Sequence, residues 1–97
     1  MSKHDDYVED LRHKLEGQYD LILTNIPIYA LRKRKYCVVG EIDLLAKKGN
    51  EYDIYEVKCS FRITKAKLQL RKLRRQAHYN IINSFFYCGN SAQIIAV

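Results

Sequence analysis

The sequence lacks the long apolar segments that mark membrane proteins and secreted precursors. No apolar run approaches transmembrane length, and the N-terminal segment MSKHDDYVED contains no apolar signal-peptide core. The chain also lacks internal repeats, low-complexity tracts and linkers. We therefore expect a soluble, intracellular, cytoplasmic protein with a single domain over residues 1–97.

Cysteine is scarce, and its three copies are far apart. Cys37, Cys59 and Cys88 form no Cys-x-x-Cys pair and no cluster with histidine, so the common zinc-site patterns are absent. We expect these residues to be buried free thiols in a reducing cytosol.

Acidic residues are in the minority and are missing from one stretch. The chain has 17 Lys and Arg against 11 Asp and Glu, a net charge of +6. The segment 65–75 carries six basic residues and no acidic one. This excess favours an anionic partner such as nucleic acid. A short chain buries a modest fraction of its surface, so oligomerisation would be a natural supplement.

Hydrophobic periodicity predicts an α/β fold with two helices and five strands. Ser2 is a predicted N-cap of the first helix, and Gly17 can end it; Thr64 is a candidate cap for the second helix. Pro27 predicts that the first strand ends there or lies at a sheet edge. The predicted elements are a helix over 2–17, strands over 19–28, 36–48 and 51–59, a helix over 62–83, and strands over 84–88 and 93–97, in the order α-β-β-β-α-β-β.

The central predicted hairpin carries charges on strands that otherwise have the composition of buried strands. Gly49-Asn50 is a two-residue hairpin signal. The register that it sets pairs Lys48 with Glu51, Asp43 with Glu56, and Glu41 with Lys58. Directly opposed residues point to the same side of a sheet, so these charges share one face. A three-residue loop would shift the register by one and remove this arrangement.

Two opposed carboxylates repel each other unless a cation lies between them. A divalent metal is the obvious candidate, because Mg²⁺ prefers hard oxygen ligands and keeps several waters. Asp43 and Glu56, with the Val57 carbonyl, could supply such a site, and Lys58 could orient a water or stabilise charge on a phosphate. The alternative is that Lys58 simply neutralises the two acids as a structural ion group.

The motif GEIDLLA (residues 40–46) followed by YEVK (residues 55–58) resembles the PD-(D/E)XK nuclease superfamily, in particular the archaeal Holliday junction resolvases and related small nucleases. The likeness covers roughly residues 8–79. It implies a restriction-endonuclease-like mixed β-sheet, flanked by helices, that holds Mg²⁺ or Mn²⁺. One departure from the family pattern is Ile42, which stands where many members have proline.

The resemblance also implies roles for individual residues. The metal-binding acids would be Asp43 and Glu56, and the catalytic lysine would be Lys58. A glutamate on the first helix of the family corresponds to Glu9, with Glu16 as its rival. A glutamine after EVK corresponds best to Gln69 and less well to Gln76 with Tyr79.

Basic residues in two segments are candidate phosphate contacts. Such contacts give salt-dependent affinity without reading base sequence, and the second helix has no acids to pair its cations. The alternative is an ordinary solvated helix face. Tyr29 and Tyr36 could stack on bases at a distorted or single-stranded site, or could be core or interface residues. The candidate DNA-binding residues are Arg32, Lys33, Arg34, Lys35, Lys65, Lys67, Arg71, Lys72, Arg74 and Arg75.

Taken together, these features predict a Mg²⁺-dependent (or Mn²⁺-dependent) DNA endonuclease that hydrolyses phosphodiester bonds with a metal-activated water. Junction resolution in DNA recombination and repair is the favoured subclass, and it would require a two-fold homodimer to cut two strands symmetrically. One alternative is a nuclease of the same chemistry that acts on single-stranded, nicked or end DNA. The other is a non-catalytic DNA-binding module.

Overall fold

Two helices and five strands follow one another in the order predicted from the hydrophobic pattern. A computed structural model describes residues 2–97. The strands form one mixed sheet in the order β1-β2-β3-β4-β5, in which β3 and β4 are parallel and the other neighbours are antiparallel. The elements are α1 (Lys3–Leu15), β1 (Leu21–Arg32), β2 (Lys35–Lys48), β3 (Glu51–Lys58), α2 (Ile63–Gln76), β4 (Ile81–Cys88) and β5 (Gln93–Ala96).

Helix α1 covers one face of the sheet. Its N-terminus is capped as predicted, because the Ser2 hydroxyl accepts the Asp5 N–H at 3.2 Å. The apolar stripe of α1 is buried against β2, β3 and β4 in a cluster that contains Val8, Leu11, Leu15, Leu44, Ala46, Tyr55, Val57 and Tyr87.

Helix α2 covers the opposite face, where Leu70 and Leu73 pack against strand residues that include Leu45 and Ile54. Side chains alternate along β3, so Tyr55 and Val57 lie under α1 while Ile54 and Glu56 face α2. A carboxylate on a central strand is thereby placed between the sheet and a basic helix.

Helix α2 is shorter than predicted. It ends at Gln76, where the Ala77 N–H still reaches the Leu73 carbonyl but Ala77 itself is extended. Ile81, which continues the helical period in sequence, is instead the first residue of β4 and pairs with Tyr52. β-Branched residues suit a strand that is half buried, and this context overrides the periodicity. The start also differs, since Arg62 is the N-cap position and Thr64 lies inside the helix.

Strand β1 is an edge strand, as Pro27 predicted, but it continues beyond residue 28 to Arg32. An edge strand tolerates proline because one row of its backbone groups needs no partner. Together β1 and β2 form a long hairpin that closes at Lys33 and Arg34. We call its outer part, residues 29–38, the β1–β2 arm.

The cysteines are free, but only one of the three is buried as expected. Cys88 is buried, Cys59 is half-buried and Cys37 is exposed on the arm. The expectation failed for Cys37 because β1 and β2 extend beyond the two helices that cover the sheet. None of the helices within residues 2–97 is long and apolar enough to cross a membrane.

Candidate active site

Strand β2 diverges from β3 at Asp43. The Gly49-Asn50 turn sets the predicted register, and the ladder continues as far as the Leu44–Tyr55 pair. The directly paired positions predicted for Asp43 with Glu56, and for Glu41 with Lys58, are not part of this ladder.

A local bend explains why the ladder stops. On the other side of β2 the β1–β2 ladder omits the pair between Asn25 and Asp43, and Asn25 has a left-handed φ of 55°. Ile42 and Leu44, two residues apart, pack on opposite faces of the sheet. The regular alternation of side chains between the two faces is therefore interrupted at Asp43. As a result, the Asp43 side chain can reach the backbone of β3.

The Asp43 carboxylate replaces the missing strand contact. Its Oδ2 accepts the Val57 N–H at 2.9 Å, a backbone donor that a continued ladder would have satisfied with a carbonyl group. The Asp43 residue is only 7% exposed. This hydrogen bond fixes the carboxylate beside the end of β3.

Glu56 lies next to Asp43, so the two acids are adjacent as predicted even though their backbones are not paired. Glu56 is 4% exposed. Burial, followed by the hydrogen bond and charge of the Asp43 carboxylate, raises the pKa of Glu56 to about 9, against a smaller opposing effect of Lys58. The Lys58 Nζ lies 3.9 Å from Glu56 Oε2. Asp43, Glu56 and Lys58 therefore form one cluster.

His4 is a member of the site that the sequence reasoning missed. Its Nε2 lies 3.0 Å from the Val57 carbonyl oxygen and 3.3 Å from Asp43 Oδ2. Since a carbonyl can only accept, Nε2 carries the proton and donates. The available signal was helical spacing, because His4 lies on the same face of α1 as the buried residues Val8, Leu11 and Leu15.

The glutamates predicted for the first helix are not brought to this cluster. Glu9 and Glu16 lie on the exposed side of α1, where both form ion pairs with Arg12. The hydrogen bond from Arg12, the largest cause, lowers the pKa of Glu9. The position nearest the carboxylates on α1 is His4, one turn before Val8 on the buried face.

Gln69, by contrast, shares a groove with Glu56. This groove of about 210 Å³ lies between β2 and α2, and Glu41 and Lys72 also line it. Gly40 allows the close approach of α2, since a Cβ there would lie 3.0 Å from Leu73 Cδ2. Gln76 leaves its Oε1 buried without a hydrogen-bond partner within residues 2–97.

The basic residues of α2 do not form one surface. Lys72 lines the Glu56 groove, whereas Lys67 and Arg71 line a separate groove of about 390 Å³ next to the end of the chain. Arg74 has a structural role, because its guanidinium donates to Ser84 Oγ at 3.0 Å and to the Ile81 carbonyl at 3.1 Å. Lys65 and Arg75 are exposed on α2, and Arg32, Lys33, Arg34 and Lys35 are exposed at the tip of the arm.

Comparisons with known proteins assign no family to this chain. No protein-family model matches the sequence, and no curated protein matches it. Within residues 2–97, no group of three or more histidine, cysteine, aspartate or glutamate side chains is arranged as a metal site. A cation at Asp43 and Glu56 would therefore need the Val57 carbonyl, His4 or water as further ligands.

The raised pKa of Glu56 predicts how the stability of the metal-free protein depends on pH. The carboxyl is protonated up to about pH 9 in the folded state, against 4.5 for its ordinary value. The contribution of Glu56 to the free energy of unfolding is complete below pH 4.5. It is lost as the pH rises towards 9, because the unfolded chain releases this proton at a lower pH than the folded protein does. Melting temperature in EDTA should fall across this window, and Glu56→Gln should flatten the fall.

Glu51→Gln is the matched control, since Glu51 is an exposed carboxylate at the start of the same strand. It should leave the pH profile unchanged. Identical profiles for Glu56→Gln and the wild type would show that Glu56 ionises normally.

Proposed function

We propose that this chain is a metal-dependent DNA endonuclease of the PD-(D/E)XK type, with a restriction-endonuclease-like fold. One observation carries the proposal: two buried carboxylates, Asp43 and Glu56, lie side by side with Lys58 at 3.9 Å from Glu56. Burying two adjacent acids is unfavourable, and burial and the Asp43 carboxylate raise the pKa of Glu56 to about 9. An arrangement that serves only stability has no need of the second acid, whereas a second carboxylate strengthens the binding of a divalent cation.

The donor atoms around Asp43 fit Mg²⁺ or Mn²⁺. The two carboxylates and the Val57 carbonyl are hard oxygen donors, and Mg²⁺ is commonly held by one or two carboxylates while it keeps several waters. His4 Nε2 lies within 3.3 Å of both Asp43 Oδ2 and the Val57 carbonyl oxygen. Its N–H satisfies these two acceptors in the metal-free protein. A neutral imidazole that turned its nitrogen lone pair to the same position could join the ligands of Mn²⁺.

Each residue of the cluster has a distinct role in hydrolysis. A bound divalent cation would supply a Lewis acid for the phosphate and would polarise the attacking water. Asp43 and Glu56 would hold that cation, and the hydrogen bond from Val57 N–H keeps Asp43 in position. The Lys58 ammonium, beside Glu56, would stabilise negative charge that develops on the phosphate. Gln69 lines the same groove and can donate its amide to a phosphate oxygen or to water.

Lys72 is the cation of α2 that lies nearest to this chemistry, since it lines the groove with Glu56 and Gln69. A DNA backbone that places a phosphate at Glu56 would pass this side chain. Lys67 and Arg71 face the other groove and are less suited to guide that strand. We therefore assign the principal phosphate contacts on α2 to the Lys72 side.

Junction resolution is the subclass that we favour, and it requires a homodimer because two strands must be cut symmetrically. The same residues would also cleave single-stranded, nicked or end DNA. A panel of junction, flap, nicked, single-stranded and linear DNAs would separate these substrates by cleavage rate.

Asp43→Asn and Glu56→Gln should each abolish Mg²⁺-dependent cleavage of the best substrate while DNA binding stays near the wild-type level. Both changes remove a ligand charge, and the amide oxygen introduced by Asp43→Asn can still accept the Val57 N–H. Lys58→Ala should slow cleavage by about 10²–10³-fold, the usual effect of one electrostatic group. Cleavage is measured by gel assay under single-turnover conditions.

Glu51→Gln should retain full activity, because Glu51 is exposed at the far end of β3. Wild-type cleavage rates in Asp43→Asn or Glu56→Gln would overturn the proposed function. DNA binding by the wild type without cleavage of any substrate would favour a non-catalytic binding module.

Divalent cations should stabilise the folded protein. Mg²⁺ and Mn²⁺ bind the native carboxylate pair and should raise the melting temperature, and Asp43→Asn should remove most of that shift. His4→Gln should reduce the Mn²⁺ shift more than the Mg²⁺ shift, because imidazole nitrogen suits transition metals better than Mg²⁺.

His13→Gln is the control for the histidine, since His13 lies on the exposed side of the same helix. It should leave both metal shifts unchanged. If neither cation at millimolar concentration changes the melting temperature of the wild type, that result would count against the metal site.

Lys72→Ala should weaken DNA binding and flatten the slope of log affinity against log salt by about 0.9 for one lost duplex phosphate contact. Lys67→Ala removes the same charge from the same helix and should change the slope little. Alanine maintains the helix in both cases. A larger effect of Lys67→Ala would place the DNA in the groove beside β5.

A further inference from the structure

The β1–β2 arm presents an apolar face whose side chains are at least half exposed within residues 2–97. Tyr29 pairs with Val38, and Leu31 pairs with Tyr36. Opposed residues, and residues two apart on a strand, point to the same side, so these four side chains share one face. Tyr29 is 52% exposed, Leu31 and Val38 are each 61% exposed, and Tyr36 is 76% exposed. A contiguous exposed apolar face of this kind marks an interaction site.

The tip of the arm is cationic and conformationally disfavoured. Lys33 and Arg34 have left-handed φ values of 49° and 66°. A two-residue turn of this kind normally uses Asn-Gly, because left-handed conformations are unfavourable for residues with long side chains. With Arg32 and Lys35 the tip has four consecutive cations and no acid. Backbone geometry alone therefore does not explain why Lys33 and Arg34 occupy this turn.

An aromatic groove joins the arm to the end of α2. It has a volume of about 480 Å³ and is lined by Tyr29 and Tyr36 from the arm and by His78 and Tyr79 from the segment that follows α2. This volume lies within the range of about 300–1,000 Å³ typical of ligand clefts. Aromatic rings around such a cleft suit a flat guest with a π-face, such as a nucleobase.

We propose that the β1–β2 arm binds nucleic acid where bases are unpaired or unstacked. The rings of Tyr29 and Tyr36 stack on an exposed base, and the basic tip, Arg32–Lys35, contacts the flanking phosphates. An intact duplex hides the faces of its bases, so only a branch point, nick or single strand offers this contact. The proposal rests on the proposed nuclease function and names its substrate class.

One nucleic acid can reach both the arm and the carboxylates. Tyr36 and Asp43 lie on the same strand, seven residues apart, which is roughly 23 Å along β2. At about 3.4 Å per nucleotide along one strand of a duplex, this separation corresponds to roughly seven nucleotides. A branch held at the arm would thus place a phosphate several nucleotides away at Glu56.

A second copy of the chain fits the arm less well than nucleic acid does. Two arms would bring two cationic tips together, and like charges repel. The exposed apolar face consists of four side chains, whereas each partner in a stable interface contributes roughly 20–30 residues. Phosphate is the complementary partner for a rim of four cations.

The test measures binding without cleavage. Fluorescence anisotropy in EDTA compares a labelled single strand, a linear duplex and a four-way junction for each variant. Tyr29→Ala with Tyr36→Ala should weaken binding of the junction and the single strand by about 5- to 150-fold, the range for one stacked base. Affinity for the linear duplex should change less than about twofold, because its bases are already stacked. The double Tyr→Phe variant keeps both rings and should bind all three DNAs like the wild type.

A second variant removes the two cations of the turn while it keeps the hairpin folded. Lys33→Asn with Arg34→Gly installs the preferred turn, so it should raise the melting temperature while it weakens binding of all three DNAs. Its salt slope on the duplex should flatten by up to about 1.8 for two contacts.

Two results would overturn the inference. One is a folded Tyr29→Ala, Tyr36→Ala protein with wild-type affinity for all three DNAs. The other is a wild-type dimer that sediments as a monomer after the same change with DNA binding intact, which would make the arm a protein interface. Neither result bears on cleavage, which Asp43→Asn tests separately.

Discussion

The hydrogen bond from the Val57 N–H to the Asp43 carboxylate is the contact on which the site depends. It forms because β2 bends away from β3 at Asp43, next to the left-handed Asn25 of β1. A straight ladder would have satisfied Val57 with a backbone carbonyl group. Because of the bend, the Asp43 carboxylate accepts this N–H instead. The bend also opens the sheet where Glu56 faces the groove under α2.

The electrostatic consequence is a buried pair of acids with limited compensation. Lys58 lies 3.9 Å from Glu56, and His4 donates to Asp43, yet burial and the neighbouring carboxylate still raise the pKa of Glu56 to about 9. Glu56 therefore holds its proton at neutral pH in the metal-free protein, and groups with strongly shifted pKa values concentrate at functional sites. A divalent cation between the two acids would favour the ionised form of Glu56, which connects its raised pKa to the proposed chemistry.

The sequence was sufficient where the determinants are local. Gly49-Asn50 predicted the hairpin register as far as the Leu44–Tyr55 pair. Beyond that pair the predicted backbone pairing of Asp43 with Glu56 is absent, although the two acids are still neighbours. The sequence was insufficient where packing decides: Ile81 continues the helical period of α2 but begins β4, because a half-buried strand position suits it. The bend at Asp43 needs the conformation of Asn25 on another strand, which no local pattern encodes. His4 was missed because helical spacing places it on the buried face of α1 but does not show which strand residues it meets there.

The central claim is that Asp43, Glu56 and the Val57 carbonyl together hold a divalent cation. The most direct measurement is a crystal structure of the protein with Mn²⁺, in which anomalous scattering locates the metal. The account predicts one strong anomalous peak within bonding distance of both carboxylates and the Val57 carbonyl oxygen. A crystal at saturating Mn²⁺ with no peak at this position, or with its strongest peak elsewhere, would contradict it.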